Sequence, residues 1–198
     1  IVGDHPDLAE SLQTLGAMLR DQGRFVEAET SLREALAIAT ASLPVGHPDT
    51  GRYRTALAIL MSQTGRIEES LELHRASLDD DLRSGADAES LITSYNNTAF
   101  ALMKLDRLEE AEPMFRRADQ LSAERDPDGS PQRAMCLNNL ARCLSAMERY
   151  EDAIAAFEEA LEMRKEIFGE VSDTVANTLS SLANVYGALE DLERAEEL

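Results

Sequence analysis

Chemistry in this chain would have to come from few residues. Three histidines, His5, His47 and His74, lie far apart in the sequence and in the repeat register. His5 and His47 each precede Pro-Asp, a helix-opening pattern that gives them a structural use. His74 stands where a large apolar residue is expected, so it reads as a partly buried imidazole rather than a general base. Cys136 and Cys143 are seven residues apart. On one helix that is about 10 Å, beyond the ~7 Å Cα limit of a disulfide, so both read as small buried fillers. Asp79-Asp80-Asp81 reads as a solvated helix end and Asp126-Pro127-Asp128-Gly129 as a turn. Neither continues into a twelve-residue calcium loop. Asn96-Asn97-Thr98 fits a glycosylation sequon but falls within a helical pattern. No phosphate loop, nucleophile elbow or metalloprotease motif occurs, so neither catalysis nor a cofactor is expected.

The elements that carry these residues follow from composition and pattern. The 198 residues are 43% hydrophobic and carry a net charge of −19. That apolar content is too high for a disordered acidic tail. A pI near 4.4 argues against nucleic acid or an anionic membrane as partner. No apolar run approaches the ~18 residues of a membrane span, and no secretory leader is present, which points to a cytoplasmic protein. Seventeen Arg against two Lys is compatible with a GC-rich bacterial source.

The dominant signal is repetition. Segments opening at Gly23, Gly65, Asp106, Glu148 and Glu190 align without gaps, at intervals of 42, 41, 42 and 42 residues. Seven residues before each start stands a small residue: Gly16, Ala58, Ala99, Ala141 and Ala183. After them, Leu32, His74, Phe115 and Phe157 share one column. Leu8, Leu12, Leu15 and Leu19 follow helical spacing, and so do Phe25, Ala28, Leu32 and Ala35. Each unit is thus a helix–turn–helix pair that must stack on its neighbours to hide its apolar face. The units are 5–46, 47–87, 88–129, 130–171 and 172–198, the last incomplete. Ala111 and Ala153 should lie where paired helices come closest. Pro113 should distort an early turn of its helix. The second unit, with Arg54, His74 and Asp80 in mostly apolar columns, should pack more loosely.

These columns resemble tetratricopeptide repeats. The 42-residue period, His5-Pro6-Asp7 and His47-Pro48-Asp49, Leu137-Asn138-Asn139-Leu140-Ala141 and Glu110-Ala111-Glu112-Pro113 resemble the kinesin-light-chain type. The resemblance implies an all-α, right-handed superhelical solenoid of antiparallel helix pairs, with the first helices lining a concave groove. The proline that ordinarily ends the second helix is absent, which predicts longer second helices. Because the pattern opens and closes in mid-unit, a piece of a longer protein is expected.

Placed on that geometry, the inward columns of the second to fourth units hold Arg52, Lys104 and Arg142 and no acid. Asn96, Asn97, Asn138, Asn139, Asn177 and Asn184 recur along the same face. An asparagine amide can pair with both C=O and N–H of an extended backbone. Phe100 would supply an apolar pocket between them. The resemblance therefore implies a scaffold that binds a protein or peptide segment in the groove. Two other readings stand beside it: a spacer that self-associates through exposed array ends, and a regulatory region of a larger ATPase, kinase or caspase-like protease.

Overall fold

A computed structural model describes residues 6–191, 194 and 195. Among them are nine helices and no strand: α1 (Pro6–Asp21), α2 (Phe25–Ser42), α3 (Pro48–Gln63), α4 (Ile67–Ser84), α5 (Ala88–Lys104), α6 (Leu108–Arg125), α7 (Pro131–Ala146), α8 (Tyr150–Phe168) and α9 (Asp173–Ala188). None is long and apolar enough to cross a membrane. The even-numbered helices open at the sequence intervals of 42, 41 and 42. They run 18 or 19 residues against 16 or 17 for the odd-numbered ones, as the missing proline predicts.

The two helix types start differently. Odd helices carry side-chain caps that satisfy orphan amides: the Asp49 N–H donates to His47 Nδ1 at 3.2 Å, Ser90 N–H to Asp87 at 2.8 Å, Arg133 N–H to Ser130 at 3.2 Å and Val175 N–H to Ser172 at 3.3 Å. His47 is therefore a cap, as its motif suggests; His5 lies outside the described residues. Even helices open on an arginine without a side-chain cap. Each of those arginines instead pairs with an acid three residues on: Arg24–Glu27, Arg66–Glu69, Arg107–Glu110 and Arg149–Asp152. The acids also face the positive end of the helix dipole. Between the paired helices one column takes positive φ: Gly23 and Gly65 at 75° and 80°, then Asp106, Glu148 and Glu190 at 58°, 59° and 60°. The turn demands a left-handed residue whether or not glycine is there to supply it.

The chain divides into two compact units, Ile1–Leu105 and Asp106–Leu198, so the two helices of the third repeat fall in different units. In the first unit, Leu19, Ala28, Leu32, Ala56, Leu57 and Leu60 form one core cluster. Ala9, Ala35, Ile38 and Tyr53 form another. In the second, Phe115 and Phe157 are fully buried, and Ala134, Leu137, Ala160 and Met163 pack together. Ala111 and Ala153 are wholly buried, as expected of close helix crossings. Cys136 and Cys143 are buried free thiols, and burial pushes them up to about 12 and about 11, so they stay protonated fillers.

Three sequence expectations need correction. Asp79-Asp80-Asp81 is not a solvated helix end: α4 continues to Ser84, Asp80 binds Arg54 at 2.6 Å, and Asp81 accepts from Ser94 Oγ at 2.5 Å. Arg54 and Asp80 replace an apolar pair by an ion pair, at the columns filled by Leu12 and Ile38 one repeat earlier. His74 is buried rather than partly so. Pro113 lies in the second turn of α6, which runs unbroken through it. The Asp126–Gly129 turn is as expected, with Gly129 N–H donating to Asp126 O at 3.0 Å.

Candidate interaction groove

Three helices of the first unit build the site. On α3, Arg52, Thr55, Ile59, Ser62 and Gln63 follow one helical face. On α5, Thr93, Asn97, Phe100 and Lys104 do the same. On α4, Ser70, His74, Ser77 and Asp81 recur at helical spacing and form the floor. A cavity of about 370 Å³ is lined by Thr55, Ile59, Gln63, Asn97, Phe100 and Lys104, with Ser70 and His74 beneath. A second, of about 480 Å³, lies between Arg52, Thr55, Thr93 and Ser94, with Ser77 and Asp81 beneath and Asp87 and Glu89 at its edge. The first cavity opens where His74 replaces the Leu or Phe of the other repeats.

Electrostatics divide this groove in two. Lys104 Nζ donates to Ser62 Oγ at 2.8 Å and sits 5.1 Å from the Phe100 ring centroid. It makes no ion pair among the described residues, so its charge is open to a ligand. At the other end Arg52 pairs with Asp49 at 3.0 Å and stacks 5.3 Å over Tyr53. Its charge is already partly answered. Burial raises the Asp81 carboxyl above its ordinary value, and lowers the His74 imidazole to about 4, so His74 is neutral near pH 7. The lining residues of α3 and those from Thr93 to Lys104 of α5 include no acid, but α4 and the start of α5 bring Asp81, Asp87 and Glu89 to the groove. Only the Lys104 end is basic.

The predicted residues separate. Arg52, Asn97, Phe100 and Lys104 line the cavities together. Asn96 does not: it is buried on another side of α5. In the second unit Asn138 is half-buried and accepts from Arg164 Nη1 at 3.3 Å, so its amide is already engaged. Asn139 is half-buried on α7, and Arg142 is exposed without an ion pair among the described residues. Asn177 and Asn184 are exposed on α9. The floor residues Ser70, His74, Ser77 and Asp81 lie outside the predicted site because the repeat resemblance places the groove on the first helices, whereas α4 supplies its floor. The signal for His74 was its odd place in a Leu/Phe column. No cluster of three or more His, Cys, Asp or Glu among the described residues could hold a metal.

A helix-pair array with a lined groove defines a class, and comparison identifies it. The chain belongs to the tetratricopeptide repeat family, whose profile matches residues 7–82, 90–166 and 147–198. No curated protein sequence matches it. Among solved structures, BtubC (BKLC) from P. vanneervenii is 26% identical with a TM-score of 0.85, over 97% of this chain and 77% of that one. A Podosopora anserina kinesin-light-chain protein of nearly identical tetratricopeptide-like repeats is 22% identical with a TM-score of 0.84, over 98% and 92%. In fold the repeats are similar to the kinesin-light-chain-like ones. The Rap protein complexed with competence and sporulation factor shares the fold at 15% identity and a TM-score of 0.71. The match covers 94% of this chain and 51% of that one.

Proposed function

We propose that the chain is a protein-interaction scaffold that captures an extended segment of a partner protein between α3 and α5. The observation that carries this reading is the cavity of about 370 Å³, where apolar Ile59 and Phe100 stand beside the amides of Asn97 and Gln63 and the cation of Lys104, which makes no ion pair among the described residues. An extended strand brings backbone donors and acceptors in alternation, which the two amides can answer. One large side chain would fill the space above His74, and a ligand carboxylate would meet Lys104. The acidic end at Asp81, Asp87 and Glu89 would set the direction of a segment that carries charge at one end only.

Selection of displayed peptides on the full chain, followed by calorimetry, tests this reading. Phe100→Ala and Asn97→Ala should each weaken the selected peptides by about tenfold, as anchor residues do. Lys104→Ala should weaken acidic peptides more than neutral ones, with the difference shrinking in salt. Asn184→Ala, on α9, should leave affinity unchanged. Peptides that bind all four variants equally would remove the groove as the site.

A further inference from the structure

The second groove cavity, of about 480 Å³, sets three carboxylates, Asp81, Asp87 and Glu89, against one guanidinium, that of Arg52. Arg52 is already paired with Asp49 at 3.0 Å. Asp87 caps α5 by accepting from the Ser90 N–H at 2.8 Å. Asp81 is half-buried on the floor, where the Ser94 hydroxyl donates to its carboxylate and no cation among the described residues pairs with it. Its neighbour Asp80 takes both nearby arginines, Arg54 at 2.6 Å and Arg83 at 3.2 Å. A carboxylate drawn partly out of water without a counter-ion weakens the fold, so packing alone gives no reason for it.

A second polar group on the same floor has no use in the fold. Ser77 lines the cavity and is 5% exposed, and its Oγ has no hydrogen-bond partner among the described residues. The same repeat column holds Ala35, Ala118 and Ala160, all wholly buried, so packing asks for a methyl and not a hydroxyl. One turn on, Asp81 stands where the first repeat has the wholly buried Ala39. Two successive turns of α4 thus exchange alanine for an oxygen acceptor at the cavity. A ligand that brings N–H donors and positive charge would satisfy both. No cluster of three or more metal-ligating side chains stands among the described residues, so the fit is to an organic cation.

We propose that this cavity takes a basic side chain, lysine or arginine, of the same partner segment whose large apolar residue fills the cavity beside Phe100. This rests on the groove reading above and gives it a second anchor. Thr55 lines both cavities. Helix α5 lines one from within residues 89–94 and the other from within 97–104, which puts their centres about nine residues, on the order of 13 Å, apart. An extended strand covers that distance in about four residues, and residues four apart share one face. The segment therefore carries its basic residue about four positions from its large apolar one. The net charge of −19 draws such a residue from a distance.

The charged probe is Nα-acetyl-lysine N-methylamide, set against its neutral norleucine analogue, each titrated into the isotope-labelled full chain. The lysine compound alone should shift the amide signals of Ser77, Thr93 and Ser94. Asp81→Asn, which keeps an acceptor for Ser94, should remove most of that response. Ser77→Ala, which restores the alanine of the other repeats, should weaken it several-fold. In peptides selected on the full chain, replacing the basic residue by norleucine should weaken binding by about tenfold with the native protein and by much less with Asp81→Asn. Phe100→Ala should weaken both peptide forms, so the two anchors fail separately. An equal or absent response to the two small probes would overturn the cation site even with the groove reading intact. Peptides that bind through Phe100 without a basic residue would overturn it as well. A lysine response with no peptide in the groove would assign the cavity to a free amine and overturn the segment as its occupant.

Discussion

His74 shows how one residue can shape both stability and site. Burial holds its imidazole at about 4 against an ordinary 6.5. Above pH 6.5 it is neutral in both folded and unfolded chains and adds no pH dependence. Between 6.5 and 4 the unfolded chain takes a proton that the native one refuses, so stability falls on acidification and levels off below 4. The loss attributable to His74 is on the order of 2–3 kcal/mol. Carboxylates titrate nearby in pH, so the comparison is with His74→Phe, which restores the residue of the third and fourth repeats. Denaturant melts of the two proteins should diverge as pH drops from 7 to 4, and parallel curves would show that His74 charges freely. His74→Phe should also fill the cavity and weaken ligands of the groove. Glu148 offers a second residue-scale test. It holds φ at 59° where Gly23 and Gly65 stand in the first two repeats. Glu148→Gly should stabilise the second unit by about 0.5–1 kcal/mol, because left-handed backbone costs a residue with a Cβ about 1–2 kcal/mol and glycine loses part of that gain in the unfolded chain. An unchanged or lowered melting temperature would count against strain at this turn.

At the scale of elements, α3 and α4 exchange an apolar contact for the Arg54–Asp80 ion pair, whose side chains are only 13% and 15% exposed. Arg54→Leu alone should cost about 3 kcal/mol, moderated by Arg83, which also reaches Asp80 at 3.2 Å. Arg54→Leu with Asp80→Ile rebuilds the Leu12–Ile38 pairing and should recover most of that loss. Chemical denaturation of the two single variants and the double variant gives the coupling, and additive losses would show that the pair does not act as a unit. The same helices show what a sequence makes legible. The 42-residue rhythm located every even helix start, because small and aromatic columns must meet at each crossing whatever the surface does. The groove was harder to place. Asn96 and Asn97 differ by one residue, which is about 100° of helical rotation, so only Asn97 reaches the cavity. Asn138 is engaged by Arg164, 26 residues away, a partner that no local pattern announces. Asp81 entered from the floor helix, whose solvent-facing residues are acidic and hide one that is not solvent-facing.

For the whole molecule the governing quantity is the excess of acid, 38 Asp and Glu against 19 Lys and Arg. Most arginines with described contacts already sit against a carboxylate, in pairs such as Arg24–Glu27, Arg66–Glu29 and Arg149–Glu112. What remains is a surplus of negative charge spread over the helices, while Lys104 and Arg142 stand on first helices without ion pairs among the described residues. At long range this field draws basic partners, and at contact the groove offers Lys104 as its one cation without an ion pair among the described residues. The two effects act at different distances and separate in salt. Raising ionic strength from about 10 mM to about 0.5 M shortens the screening length from roughly 30 Å to a few ångström. That weakens repulsion among the unpaired acids more than it weakens exposed ion pairs, which are each worth about 0–1 kcal/mol and act at contact. The melting temperature should therefore rise with salt, most steeply below about 0.1 M, where the surplus is least screened. A scanning-calorimetry series in sodium chloride reads this directly. A melting temperature that fell over the same range would mean that the paired arginines, and not the unmatched acids, set the electrostatic balance of the fold.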